Sequence, residues 1–112
     1  MEITVTESGP VTVVAIRGSV DGLTAGALTE SLGTQVRAGR VRIVGDFAEV
    51  DYISSAGLRA VLGALKEARQ QGGDFRLAAI RPDVQRVLDL SGFTSILKTF
   101  ADPEGAVGSF GA

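Results

Sequence analysis

The chain has 112 residues, 45% hydrophobic and 21% charged, which is enough apolar material for one folded domain spanning residues 1–112. Because it contains no cysteine and no histidine, disulfides, thiolate zinc sites, cysteine nucleophiles and the commonest general base are excluded. A net charge of −2 gives no basis for direct nucleic-acid binding through phosphate neutralisation. The composition therefore predicts a protein that is not an enzyme and needs no metal or cofactor.

The N-terminal residues, MEITVTESG, are acidic and alternating, unlike the basic start and apolar run of a signal peptide. Every long apolar stretch is interrupted well before the roughly 18 residues that a membrane span requires. We therefore expect a cytoplasmic protein without membrane insertion. We also expect it to be a monomer or a weak dimer.

The chain opens with two predicted strands. Residues 2–7 alternate polar and apolar side chains, and residues 11–17 are rich in β-branched residues. The intervening Ser8-Gly9-Pro10 is a turn signal, and so short a connection favours an antiparallel hairpin.

Three stretches with helical spacing follow, and each is ended by glycine. The first ends at Gly39, the second at Gly72-Gly73, and the third, which begins at Pro82, ends at Gly92. Each stretch sets an apolar stripe against a polar face. The stripes consist of Leu28, Leu32 and Val36, then Leu58, Val61, Leu62, Leu65 and Ala68, then Val84, Val87 and Leu88.

Short apolar runs between these helices predict further strands. Residues 41–44 and 75–80 are two of them, and residues 96–100 form a last short one. Residues 45–53, which mix acidic and apolar side chains, are predicted to be a loop. Asp102-Pro103 then predicts the start of a terminal helix.

The terminal helix is expected to pack Val107 and Phe110 against the rest of the fold. The predicted order is thus β-β-α-β-α-β-α-β-α, and strands separated by helices pair in parallel through right-handed crossovers. We therefore expect an α/β fold with one mixed β-sheet. The sheet should start with an antiparallel hairpin and have helices packed on it.

The serine pair at the start of the second helix is the candidate site. Ser54 is suited to cap the helix, with its hydroxyl accepting a hydrogen bond from a backbone N–H of the first turn. Ser55 would then point outward beside unsatisfied N–H groups, and Gly57 would leave room for another molecule to approach. A phosphate on Ser55 would be accommodated there and would repel an acidic partner. The residues alone favour the simpler interpretation that the two serines only form a helix cap.

Four segments together resemble the STAS domain family, in its anti-sigma-factor antagonist branch. They lie in the family's order, at spacings that fit the predicted strands and helices, and cover nearly the whole chain. The segments are RGSVDGLTA (17–25), VDYISSAGL (50–58), GGDFRL (72–77) and VLDLSGF (87–93). The resemblance implies a single STAS-type domain.

The resemblance also implies a switch. The unphosphorylated protein would bind a serine-kinase anti-sigma factor and free the sigma factor. The kinase would then phosphorylate Ser55 and dissolve the complex, and a serine phosphatase would restore it. By position in the family motifs, the residues expected at the partner-binding surface are Asp21, Gly22, Ser54, Ser55, Gly57 and Leu58.

Two positions depart from the family pattern. Ser54 stands where the family usually has Asp, and Ala56 stands where it has Ser or Thr. Ser54 and Ser55 are therefore the only phosphorylation candidates within the signature, and we favour Ser55 because Ser54 is suited to capping. STAS-like domains also serve as non-phosphorylated scaffold subunits, for example of lipid-transport ATPase complexes, which is the alternative function.

Asp46, Glu49 and Asp51 cluster before the signature, as a metal-binding site or a phosphoacceptor receiver domain would require. A receiver also needs an acidic pair after its first strand, where this chain has a turn, so a solvated acidic loop is the preferred interpretation. The arginines, Arg76 among them, are predicted to be solvated. Tyr52 is predicted to lie in the core or at its edge.

Overall fold

A computed structural model describes residues 1–111, and Ala112 lies outside the described residues. The described residues form β1 (Glu2–Ser8), β2 (Val11–Val20), α1 (Ala25–Arg37), β3 (Arg42–Ile53), α2 (Ser55–Gln70), β4 (Asp74–Ala78), α3 (Pro82–Leu90), β5 (Thr99–Phe100) and α4 (Pro103–Gly108). A 3-10 turn at Phe93–Ser95 precedes β5. The predicted order of strands and helices is confirmed.

The five strands make one sheet in the order β1-β2-β3-β4-β5. β1 and β2 pair antiparallel, as the short turn between them predicts, and each later pair is parallel. Parallel strands run in the same direction, so β2, β3 and β4 all end toward one side of the sheet, although β4 ends at the level of Asp46 while β2 and β3 continue to Val20 and Ile53. We call this side the carboxyl edge.

Helices cover both faces of the sheet. The main core lies between one face and the apolar stripes of α1, α2 and α3, and its largest buried members are Phe47, Phe75, Ile16, Leu28, Leu32, Ile43, Leu77 and Leu88. The short α4 packs Ala106 and Val107 on the opposite face, against Val11, Val44 and Ala78, with Phe110 just beyond the helix. The predicted packing of Val107 and Phe110 is confirmed.

β3 is much longer than the sequence pattern predicts. The predicted loop over residues 45–53 is wrong, because this segment continues the strand to the carboxyl edge, with Phe47, Val50 and Ile53 buried. Two irregularities in its pairing with β2 shift the register, so the alternation of buried and exposed side chains is broken. A strand with broken alternation does not show the period of two that sequence analysis relies on.

Two further expectations are wrong. Arg76 is not solvated: its side chain is only 11% exposed, and its guanidinium donates to Asp74 and to the Ser109 hydroxyl and lies 3.9 Å over the Phe110 ring. These contacts tie the end of the chain to β4. Tyr52, the second-to-last residue of β3, is 53% exposed, because the register shift turns its side chain away from the core.

Candidate functional site

Ser54 and Ser55 form the start of α2 in the way the sequence predicts. Ser54 has extended backbone angles, and its hydroxyl oxygen accepts a hydrogen bond from the backbone N–H of Gly57 at 3.3 Å. This N-cap geometry is confirmed. Ser55 is the first helical residue and is exposed, so its hydroxyl is open to solvent beside the N–H groups of the first turn.

The loop between β2 and α1 is held by its own hydrogen bonds. One carboxylate oxygen of Asp21 accepts from the backbone N–H of Leu23 at 2.9 Å and from that of Thr24 at 3.2 Å. In return, the Thr24 hydroxyl accepts from the backbone N–H of Asp21 at 2.9 Å and donates to the carbonyl oxygen of Ser19 at 2.8 Å. Asp21 is therefore half-buried and orders the loop, while Gly22 beside it is exposed.

The loop and the start of α2 are joined across the sheet. Val20, the last residue of β2, pairs with Ile53, the last of β3. The backbone N–H of Ser54 donates to the carbonyl oxygen of Val20 at 2.9 Å. The β2–α1 loop and Ser55 thus lie side by side at the carboxyl edge, and the structure brings Asp21, Gly22, Ser54 and Ser55 together.

Gly57 does not leave room for another molecule, which corrects the sequence-based expectation. The residue is buried, and a Cβ built on it would lie 2.6 Å from the carbonyl oxygen of Val20 and 2.8 Å from Cγ1 of Ile53. The space beside Gly57 is filled by this chain's own strands. Leu58 is half-buried and packs against the main core, so only part of its side chain can face a partner.

Two exposed residues at this edge were missed. Leu23 follows Gly22 in the β2–α1 loop and is 96% exposed. Arg59 is exposed one helical turn after Ser55 on the same face of α2. Within residues 1–111, Arg59 belongs to none of the ion pairs. A leucine between turn residues, and a cation four positions after the candidate serine, are the signals that could have identified them.

The carboxylates of β3 do not share a site. Asp46 accepts from a backbone N–H two residues further along, Glu49 pairs with Arg81 at 3.4 Å, and Asp51 accepts from the Ser19 hydroxyl at 2.9 Å. In the described part of the chain, no group of three or more acidic residues is arranged to hold a metal ion. The three carboxylates therefore have separate hydrogen-bond and ion-pair partners and do not support the receiver interpretation.

The sequence profile that describes the STAS domain matches residues 2–106 of this chain. The chain belongs to the STAS domain family. BtrV of Bordetella bronchiseptica is 36% identical over 98% of this chain and 95% of its own length. RsfB, the anti-sigma-F factor antagonist of Mycobacterium tuberculosis, is 30% identical over 88% of this STAS domain and 80% of its own length.

Solved structures share the fold. A Thermotoga maritima protein superposes with a TM-score of 0.91 at 20% identity, covering 96% of this STAS domain and 92% of its own chain. SpoIIAA of Bacillus, solved in its phosphorylated form, gives a TM-score of 0.76 at 20% identity, covering 97% and 99%. Over residues 1–111 of this STAS domain, none of the helices combines the length and apolar character that crossing a bilayer demands.

Proposed function

We propose that this STAS domain is an anti-sigma factor antagonist that binds a serine-kinase anti-sigma factor and thereby frees a sigma factor. Relatives at 30% and 32% identity are named anti-sigma factor antagonists. The partner class that those names suggest is an anti-sigma factor. The observation that carries the proposal is the exposed Ser55 hydroxyl on the first residue of α2, beside the rigid β2–α1 loop. The protein acts by binding and catalyses nothing itself.

Phosphorylation of Ser55 is the switch in this proposal. The Ser55 hydroxyl oxygen attacks the γ-phosphorus of ATP held by the kinase, ADP leaves, and the hydroxyl proton passes to a base of the kinase. A serine phosphatase reverses the state by adding water across the phosphate ester, which returns the hydroxyl and inorganic phosphate. SpoIIAA, which shares this fold, has been solved in a phosphorylated form, so the fold tolerates a phosphate.

The local electrostatics suit a phosphate on Ser55 within this chain and oppose one in a protein interface. The first turn of α2 reads Ser-Ala-Gly-Leu, so its N–H groups and the positive end of the helix dipole face the added charge without a competing carboxylate. Arg59, one turn further on, adds a cation. A partner packed on the same surface would instead have to desolvate about −1.5 to −2 charges, which dissolves the complex.

The test is incubation of the purified protein with ATP and the serine-kinase anti-sigma factor of its source organism, followed by mass mapping. We expect one phosphate on Ser55, none in Ser55→Ala, and wild-type phosphorylation in Ser54→Asp, which keeps the cap. Binding should survive Ser55→Ala and be lost in Ser55→Asp. If both variants bind as tightly as the wild type and no phosphate is found, the protein is a non-phosphorylated scaffold instead.

A further inference from the structure

Leu23 is the most exposed of the large apolar side chains that the structure describes. It is 96% exposed, against 82% for Leu90 and 53% for Tyr52. A single exposed leucine is ordinary on a protein surface, so exposure alone assigns it no role. Two features of its setting distinguish it: the hydrogen bonds that hold the β2–α1 loop, and the position of that loop beside Ser55.

The β2–α1 loop cannot fold Leu23 back onto the protein without losing hydrogen bonds. The backbone N–H of Leu23 itself donates to the Asp21 carboxylate at 2.9 Å, and the Thr24 hydroxyl is tied to the backbone of Ser19 and Asp21. The backbone is therefore fixed while the side chain points into solvent. Because the backbone is ordered before binding, only the rotamers of the Leu23 side chain lose freedom when a partner covers it.

Leu23 also lies in the loop next to Ser55, because β2 and β3 end side by side at Val20 and Ile53. Val20, whose carbonyl oxygen is hydrogen-bonded to the backbone of Ser54, is three residues before Leu23, or at most about 11 Å of chain. An interface of standard size covers roughly 800 Å² on each partner, a patch about 30 Å across. Such a patch centred on Ser55 extends about 15 Å to each side, so it can include Leu23 in the neighbouring loop.

We infer that Leu23 is an anchor residue that inserts into an apolar pocket on the anti-sigma factor. The inference rests on the proposed function, because a partner that covers Ser55 is what brings the pocket to Leu23. The Asp21–Thr24 hydrogen bonds present the anchor, and Ser55 decides whether the surface around it can be covered. Affinity for the partner and control by phosphate are thus assigned to two different residues.

Leu90 provides a matched control. It is the same residue type and nearly as exposed, but it ends α3, a helix that begins where β4 ends and runs for nine residues, about 13 Å, away from the carboxyl edge. Leu23→Ser and Leu90→Ser remove similar apolar side chains from the surface. Neither removes a packing contact of the core, so both variants should fold like the wild type, which circular dichroism checks.

The experiment measures the Kd of wild type, Leu23→Ser, Leu23→Met and Leu90→Ser by calorimetry. The probe is the purified serine-kinase anti-sigma factor of the source organism, loaded with a non-hydrolysable ATP analogue. We expect Leu23→Ser to raise Kd about 10- to 100-fold, which corresponds to the free energy gained when one leucine side chain is buried on binding. Leu23→Met and Leu90→Ser should stay within about two-fold of wild type.

Kinetics give a second readout. In phosphorylation assays, Leu23→Ser should raise KM for this protein and leave kcat unchanged, because Leu23 positions the partner but does not touch the reacting hydroxyl. Equal Kd values for wild type and Leu23→Ser would overturn the inference and leave the proposed function intact, as would equal losses in Leu23→Ser and Leu90→Ser. Absence of binding by the wild type itself would overturn the proposed function and the anchor together.

Discussion

Replacing Gly57 with alanine tests whether the start of α2 is positioned by close packing against β2. The new Cβ would lie 2.6 Å from the carbonyl oxygen of Val20, about 0.8 Å closer than ordinary contact. That oxygen also accepts the hydrogen bond from Ser54, so the helix cannot move away without weakening it. Because the contact is with backbone on one side and buried Ile53 on the other, no flexible side chain can give way.

Three contributions set the magnitude. Overpacking costs about 1–3 kcal/mol, and the weakened hydrogen bond costs about 1 kcal/mol more. Alanine returns about 1 kcal/mol because glycine is a poor helix former. The free energy of unfolding should therefore fall by about 2 kcal/mol, which lowers Tm by roughly 8 °C for a domain of this size.

Gly63 in the same helix is the matched control, since a Cβ there would meet no described atom within 4 Å. Gly63→Ala should raise the free energy of unfolding by about 1 kcal/mol through helix propensity alone. Urea unfolding followed by far-UV circular dichroism measures both variants. A Gly57→Ala variant that gained stability as Gly63→Ala does would refute the close-packing argument.

Three further predictions concern the cap, the buried carboxylate and the phosphate. Ser54→Ala should lower the free energy of unfolding by about 1 kcal/mol and Ser54→Asp by less than about 0.5 kcal/mol, because Asp also caps; equal losses in urea unfolding would contradict the cap. Burial raises the pKa of Asp74, but hydrogen bonds from Arg76 and then Arg69 outweigh burial and hold that pKa below its usual value. The ionised carboxylate thus stabilises the fold above about pH 4, and this contribution disappears as the pH falls through the lowered pKa. Asp74→Asn should be less stable than wild type at neutral pH, with the two unfolding curves converging under acid conditions; a constant difference at all pH values would show that the pairing is not responsible. In protein phosphorylated on Ser55, Arg59→Ala should raise the ³¹P titration midpoint by about 0.3 pH units, the size of an exposed i,i+4 pair, whereas Lys66→Ala should not. An unchanged midpoint in Arg59→Ala would show that this arginine does not reach the phosphate.

The helices and the cap could be predicted from the sequence because their signals are local. The stripe from Leu58 to Ala68 repeats at the helical period, and Ser54 stands immediately before it. Both depend only on residues within a few positions of each other. The same holds for the hairpin, whose short turn leaves the two strands no arrangement other than antiparallel.

What the sequence determined by itself is the order of elements, the α/β class and the place of Ser55 on the first turn of α2, since each depends on short-range periodicity and capping. Only the tertiary structure decided that β3 runs on through residues 45–53, since its exposure pattern follows from a register shift against β2. The tertiary structure also decided that residue 57 must be glycine, because Val20, 37 residues earlier in the chain, packs against it. It likewise decided that Leu23 stays exposed, because no other part of the fold packs over its side chain. Burial is a sum over contacts that chain folding brings together, and no window of neighbouring residues contains that sum.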